Sequence, residues 1–408
     1  MSIPESRHPL VKLAPDEAAM LERVRALVAE RIGPGADRVA QQDVFAWDTF
    51  RLLCSEGIVA TAFPRAYGGT EASMLLRVRI IEEVASVCST AASLITGTDL
   101  SSRPIVAGAS EELKRALLPD LASGARQSAF ALTEPGAGSD VARLAAHYTA
   151  APDGGWILNG QKKFITRANV ADMFVVVARQ ADGPEGARGL SGFVVPRDTP
   201  GITVSAEVPK LGWYGVPIAS IRFDQVRIPP GHLLGQEGEG MAVAQDTLLR
   251  ARIGHAAIAL GRAAGALQIA AQYANQRQVF GQTIGGHQGV QWMLAEMAAQ
   301  IEAARCLVYS TAQRYDAGDA DVAIHASIAK MHATDLGMRI VVDCLQLLGG
   351  NGYLKAFPLE RFLRDAKMNQ IGEGSSEVHK NLIGRHVLRR AAALPQHPCL
   401  DMEPELWK

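Results

Sequence analysis

Near the C-terminus the sequence reads "NQIGEGSSEVHK", with Glu373 held between Gly372 and Gly374. A carboxylate in so permissive a turn has three uses: it caps a helix, helps bind a phosphate, or takes up a proton as a base. Other candidate stretches are rich in glycine. "LTEPGAGSD" (132–140) is dense in Thr133, Glu134, Ser139 and Asp140, which could present polar groups and backbone N–H to a ligand. It holds GAG but not GxGxxG, and no long apolar strand in a βαβ setting precedes it, so a Rossmann site is poorly supported. "EGEGM" (237–241) suits a helix entry, and "LLGGNGY" (347–353) a helix C-cap with a turn. Arg277 closes a helical run and would ordinarily be solvated; Phe280 beside Gly281 places an aromatic in a turn, which packing alone explains poorly. His325 and His332 share a helical face without a third ligand at useful spacing, so no metal site is expected. The absence of a GxSxG elbow sets hydrolase chemistry aside.

These residues need a frame. A chain of 408 residues, 48% hydrophobic and 20% charged, has an ordinary globular balance and room for two or three domains. A formal net charge of −1 gives no global pull toward nucleic acid or an anionic membrane. Cys54, Cys88, Cys306, Cys344 and Cys399 form no CxxC pair and are expected as free thiols in a reducing compartment. The stretch "MSIPESRHPLVKLAPDEAAM" has no apolar signal core and no run reaches transmembrane length, so a soluble cytoplasmic protein is expected.

The first 125 or so residues favour helix. "DEAAMLERVRALVAERI" is amphipathic and should stop at "GPG"; "WDTFRLLCSEGIVA" and "LLRVRIIEEVASVCSTAASLI" are further helices, with "FPRAYGGT" as a turn-rich loop. Short β-rich runs follow. "WILNGQKKFIT" predicts a hairpin turning at Asn159-Gly160, and "FVVVA", "SGFVV", "ITVS" and "SIRFDQVRI" predict strands. From Met241 the pattern is helical again. Val290, Leu294, Met297, Ile301, Ala304 and Val308 recur at steps of four and three, a helix-bundle seam. The expected domains are 1–126, 127–238 and 239–408.

In this order, "FALTEPGAGSD", "LNGQKKFIT", "LLGQEGEGM", "RQVFGQ", "LQLLGGNGY" and "IGEGSSEV" resemble the acyl-CoA dehydrogenase family of flavoproteins, over roughly residues 15 to 390. Each motif alone is weak; six in order are strong. The resemblance implies a multidomain α+β fold: an N-terminal helical domain, a central β-barrel-like domain and a C-terminal four-helix bundle. It implies FAD, a homotetramer built as a dimer of dimers, an electron-transfer flavoprotein as electron acceptor, and a place in fatty-acid metabolism. The implied reaction is α,β-dehydrogenation of an acyl thioester, on CoA or a protein-bound pantetheine, to the trans-2-enoyl thioester.

The same resemblance implies roles for single residues. Phe130, Leu132 and Thr133 would lie against the isoalloxazine, Phe164 over it, and Thr166 near flavin N5. Gly138 and Ser139 would lie beside FAD and the pantetheine, with Leu248, Arg252 and Gly372 also on the substrate side. Arg277 and Phe280 would reach the FAD of the neighbouring subunit, Arg277 at the pyrophosphate, which a guanidinium fork suits. Gln346, Gly349 and Gly350 match adenosine and pyrophosphate contacts, and Ser375 and Glu377 stand beside the same cofactor. Glu373 would remove the pro-R α-proton as the β-hydride moves to flavin N5. A thioester α-proton is very weakly acidic, so hydrogen bonds to the carbonyl must hold the enolate-like charge. By the resemblance these come from the N–H of Glu373 and a ribityl hydroxyl, and a desolvated carboxylate gains basicity near working pH.

Several positions depart from the family pattern. Gly372 stands where many relatives carry Tyr. Isovaleryl-type members also have glycine there and carry the base immediately before the matched arginine; here Ala251 precedes Arg252, which leaves Glu373 as the base candidate. Leu249 replaces an aspartate that touches the pantetheine, Tyr214 replaces an arginine, and Ala91 speaks against a glutaryl substrate. Arg103 stands where His or Met is commoner; it either meets a polar substrate group or reaches solvent. The competing functions are a flavin oxidase or monooxygenase using O₂ on the same fold, and a catalytically silent helical scaffold.

Overall fold

The computed structural model describes residues 12–41, 43–152 and 154–395; residues 1–11 and Cys399 lie outside them. The order is helical, β, helical, as the composition implies. Helices α1 (Pro15–Leu27), α2 (Gly33–Val39), α3 (Trp47–Ser55), α4 (Met74–Ala85), α5 (Ser89–Gly108) and α6 (Glu111–Ser123) come first. The expected stop at "GPG" is not where the helix ends. A π-turn over Val28–Ile32 leads directly into α2, and Pro34 falls in the first turn of α2, where no intrahelical N–H is required. The single helix expected from "LLRVRI" to "ASLI" is two, because the Cys88 backbone turns extended and its thiol caps α5.

One eight-stranded sheet follows: β1 (Ser128–Ala131), β2 (His147–Ala150), β3 (Trp156–Thr166), β4 (Met173–Gln180), β5 (Leu190–Pro196), β6 (Ile202–Val204), β7 (Ile218–Ile228) and β8 (Leu233–Leu234). Its order is β6-β7-β3-β2-β4-β5-β8, with β1 parallel to β4. The hairpin expected at Asn159-Gly160 is absent. "WILNGQKKFIT" is one strand, β3, paired along its length with β7, and the Asn-Gly pair marks a bulge in it. Gly160 takes φ +133° there, and a Cβ would lie 2.6 Å from the Ala146 Cα, so no turn is needed to explain the glycine.

The third part is α7 (Gly240–Gln276), the small hairpin β9 (Gln278–Val279) and β10 (Gln282–Thr283), α8 (Gln288–Asp316), α9 (Val322–Leu347), α10 (Leu359–Ile371) and α11 (Ser376–Ala392). The expected seam is real: Met297, Ile301, Ala304 and Val308 of α8 are buried in the large apolar core. That core is continuous with the first helical part. Helix α7 reaches α4 at backbone contact, since a Cβ on Gly261 would lie 2.1 Å from the Glu82 carbonyl oxygen and one on Gly265 2.0 Å from that of Ser86. Asp316 at the end of α8 accepts the Met74 and Leu75 N–H groups that open α4. These contacts lock α7 in place, and α7 is the element that positions most of the candidate site.

Candidate active site

Helix α10 ends at Ile371, and the chain turns through Glu373 (φ 56°) and Gly374 (φ 95°) before Ser375 caps α11 by accepting the Val378 N–H. The left-handed pair turns the chain sharply between the two helices. Among the described residues the Glu373 backbone N–H donates to no acceptor. Burial raises the Glu373 pKa above the ordinary carboxylate value, while the cationic groups of Lys330 and Arg252 pull it back.

Lys330, on α9, is fully buried. Its Nζ donates to the Gly374 carbonyl at 2.5 Å, and burial lowers its pKa to about 8 against the pull of Glu373 and Asp335. Asp335, also on α9, accepts from Gln370 Nε2 at 2.8 Å and Ser376 Oγ at 2.7 Å. The turn is thus tied to α9 from both sides. His379 fills the space beneath Gly374: a Cβ there would lie 2.9 Å from His379 Nε2. Burial, with Lys330 and Arg252 nearby, holds His379 neutral by lowering its pKa to about 4. Sequence reasoning missed Lys330 and His379. A lysine and a histidine at helical spacing look solvated until the tertiary packing covers them.

Leu248, Arg252 and His255 follow one another at i, i+4 and i+7 on one face of α7. Arg252 is half-buried with its Nε sealed and unpartnered, and it lies in the field of Glu373. Leu248 packs in an apolar cluster with Phe130, Leu132 and Ala137, which joins α7 to the "LTEPGAGSD" loop. That loop does not offer Glu134 to a ligand. The Glu134 carboxylate is consumed internally, accepting from Lys162 Nζ at 2.7 Å and from the Ala145 and Ala146 N–H groups. Lys162, also fully buried, donates to the Leu132 and Val177 carbonyls at 3.0 and 2.6 Å. Burial lowers its pKa to about 8 although Glu134 opposes this. This buried pair fixes the loop against β3 and leaves Ser139 exposed.

Phe164 sits on β3 with φ 59°, 55% exposed, at the second register shift of that strand. The adjoining Lys163 N–H donates to the Thr133 carbonyl at 2.8 Å, which ties the Phe164 strand to the loop. The half-buried hydroxyls of Thr133 and Thr166 bond to no other described residue. Two free hydroxyls beside a presented aromatic ring, next to the Phe130 cluster, fit a planar heteroaromatic ligand with hydrogen-bonding edges.

The other predicted contacts stand elsewhere. Arg277 and Phe280 lie at the far end of α7, and 25 residues of helix from Arg252 to Arg277 span about 37 Å. Phe280 is 97% exposed at the tip of the β9–β10 hairpin. Gln346, Gly349 and Gly350 are exposed at the far end of α9, about 24 Å along the helix from Lys330. Ser375 and Glu377 stay with the Glu373 turn. The candidate residues therefore form two groups at opposite ends of the bundle.

Arg103 is paired within the chain. Its Nε donates to Asp246 at 2.5 Å, and Asp246 also accepts from Tyr315 at 3.1 Å. Tyr315 accepts from Arg250, which grips Asp99 together with the buried Arg77. At the place of Tyr214, the ring faces Arg364 at 5.2 Å and Lys210 at 5.9 Å.

The chain matches family models along its length: the acyl-CoA dehydrogenase N-terminal domain over residues 14–125, the middle domain over 129–226 and the C-terminal domain over 238–388. It is 37% identical over 374 residues to an acyl-CoA dehydrogenase of Bacillus subtilis (strain 168), covering 91% of this chain and 98% of that protein. It is 36% identical over 373 residues to a cyclohexane-1-carbonyl-CoA dehydrogenase of Geobacter metallireducens, covering 91% of this chain and 97% of that protein. The solved butyryl-CoA dehydrogenase from Megasphaera elsdenii superposes with a TM-score of 0.89 at 33% identity, covering 93% of this chain and 100% of that one. The chain belongs to the acyl-CoA dehydrogenase family, oxidoreductases whose cofactor is FAD.

Proposed function

We propose that this protein catalyses the α,β-dehydrogenation of an acyl-CoA to the trans-2-enoyl-CoA, with Glu373 as the α-proton base. The observation that carries the proposal is the turn at Glu373. It sets a half-buried carboxylate of raised pKa beside its own unused backbone N–H, in a turn clamped by Lys330 and Asp335. That N–H is free to receive the thioester carbonyl, and the carboxylate is free to take the proton next to it. Arg252 adds positive charge to the same space. Leu248 and the Phe130 cluster supply an apolar wall, and Ser139 an exposed hydroxyl at its rim.

FAD, when bound, supplies the acceptor for the β-hydride. Phe130, Leu132, Thr133, Phe164 and Thr166 would hold its ring, with Ser375 and Glu377 beside it. Arg277, Phe280, Gln346, Gly349 and Gly350 would hold the pyrophosphate and adenosine of a cofactor in the adjacent subunit of a homotetramer. The proposed electron acceptor is an electron-transfer flavoprotein and the proposed location is the cytoplasm; no helix among the described residues is long and apolar enough to cross a membrane.

Anaerobic titration of the FAD-loaded protein with a panel of acyl-CoAs should bleach the flavin band. Glu373→Gln should retain FAD and slow bleaching by about 10³-fold, the range for loss of a general base. Full bleaching in that variant would remove Glu373 from the role, and no bleaching across short, branched, long and aromatic acyl groups would remove the CoA-thioester reaction.

A further inference from the structure

His255 lies one turn beyond Arg252 on the site-facing side of α7, and it is 6% exposed. Its tautomer follows from a chain of hydrogen bonds. Arg262 Nη1 donates to Ser89 Oγ at 3.1 Å and Nη2 donates to Asn369 Oδ1 at 2.6 Å. With its oxygen committed, Asn369 turns its Nδ2 to His255 Nδ1, 3.1 Å away. An amide N–H₂ can only donate, so Nδ1 accepts and the imidazole proton sits on Nε2. Burial, with Lys330 and Arg262 adding positive charge, lowers the His255 pKa to about 3, so the ring is a neutral donor.

The donor Nε2–H has no partner among the described residues, and Nε2 is not among the sealed unpartnered atoms; solvent reaches it. The ring edge faces the residue before the base. A Cβ on Gly372 would lie 3.6 Å from His255 Cε1, 3.5 Å from the Met368 carbonyl oxygen and 2.7 Å from the flexible end of the Met368 side chain. Trp213 closes the opposite side, with ring centroids 5.6 Å apart. The space that a side chain at 372 would take is therefore held by the movable methyl end of Met368, next to the ring of this nearly buried donor. A donor so covered is costly to leave unmatched when an apolar group fills that space.

We propose, resting on the dehydrogenase function above, that His255 is a specificity-determining residue: its Nε2–H receives an uncharged oxygen carried by the acyl group beyond the β-carbon, as a carbonyl, ether or hydroxyl. The substrate class is then an oxygen-bearing acyl thioester rather than a plain alkanoyl one. Asn369 is the positioning residue, acting through the imidazole.

The test compares hexanoyl-CoA with 5-oxohexanoyl-CoA on the FAD-loaded protein, reading kcat/KM with an artificial electron acceptor. The wild type should prefer the oxo thioester by about tenfold, the worth of one hydrogen bond to a covered donor. His255→Leu should lose that preference, and His255→Gln, which keeps an N–H donor, should retain part of it. FAD absorbance confirms folding of each variant. A wild type that prefers hexanoyl-CoA, or an unchanged ratio in His255→Leu, overturns the assignment to His255 while leaving the dehydrogenase function intact. Turnover of neither thioester, nor of any other acyl-CoA, overturns both.

Discussion

Two opposed effects act on the Glu373 carboxylate. Burial favours its neutral form and raises its pKa, whereas Lys330 and Arg252 favour the anion. The balance leaves a carboxylate that holds a proton more readily than an exposed one, which suits the proposed base. Lys330 also anchors the turn through the Gly374 carbonyl, so charge and position arrive from one side chain. Removing the ammonium as Lys330→Met takes away a pull toward the anion, so the Glu373 pKa rises further. With Glu373 as the proposed base, the rate of flavin bleaching needs its ionised form and should climb with pH through that pKa. Its acidic limb should move to higher pH, with a loss of rate along that limb that shrinks on the alkaline plateau. An unmoved limb with a uniformly lower rate would mean that Lys330 only packs.

At the scale of elements, the charged path across α4, α5, α7 and α8 joins the first helical part to the bundle. Asp99 is its keystone: Arg77 and Arg250 both bind it, at 2.9 and 3.1 Å. Burial alone would raise its pKa, but the two guanidinium groups hold it down to about 2. Asp99→Asn leaves two covered cations without their counter-charge and should cost about 3–5 kcal/mol, the range for breaking a buried pair. A depressed pKa contributes stability above the ordinary aspartate value and loses it as pH falls toward about 2. The gap in denaturation midpoint between wild type and Asp99→Asn should therefore be full at pH 7 and narrow in acid. This path also explains where sequence reasoning about Arg103 stopped. The periodicity places Arg103 on α5, but only tertiary packing brings Asp246 of α7 to it. The helical–β–helical order, strands β4 to β7 and the α8 seam were legible, because each rests on local periodicity. The Asn159-Gly160 hairpin was not, since the same dipeptide serves a bulge when β7 lies alongside. Glu373 stood out by its flanking glycines, while Lys330, His379 and the Lys162–Glu134 pair did not, because burial makes their charge matter and burial is a property of the fold.

For the whole molecule the decisive feature is the distance between the two groups of candidate residues. Glu373, Arg252 and the Phe130 cluster stand at one end of α7; Arg277 and the exposed Phe280 stand about 37 Å away. If both groups hold FAD as proposed, a two-fold pairing of chains would let the far end of one complete the near end of the other. This arrangement predicts complementation. Chains with Glu373→Gln keep a sound Arg277, and chains with Arg277→Glu keep a sound Glu373. Each homo-oligomer should be inactive, the first without its base and the second without tightly held FAD. In a mixed pair, the site built on the second chain has its own Glu373 and receives Arg277 from the first, so one of its two sites is whole. Unfolding and refolding the two variants together at equal amounts with FAD should recover about a quarter of wild-type activity, since about half of random pairs are mixed and each holds one sound site in two. If both groups served the same site within one chain, no mixture could assemble a sound site, and the refolded sample would stay inactive.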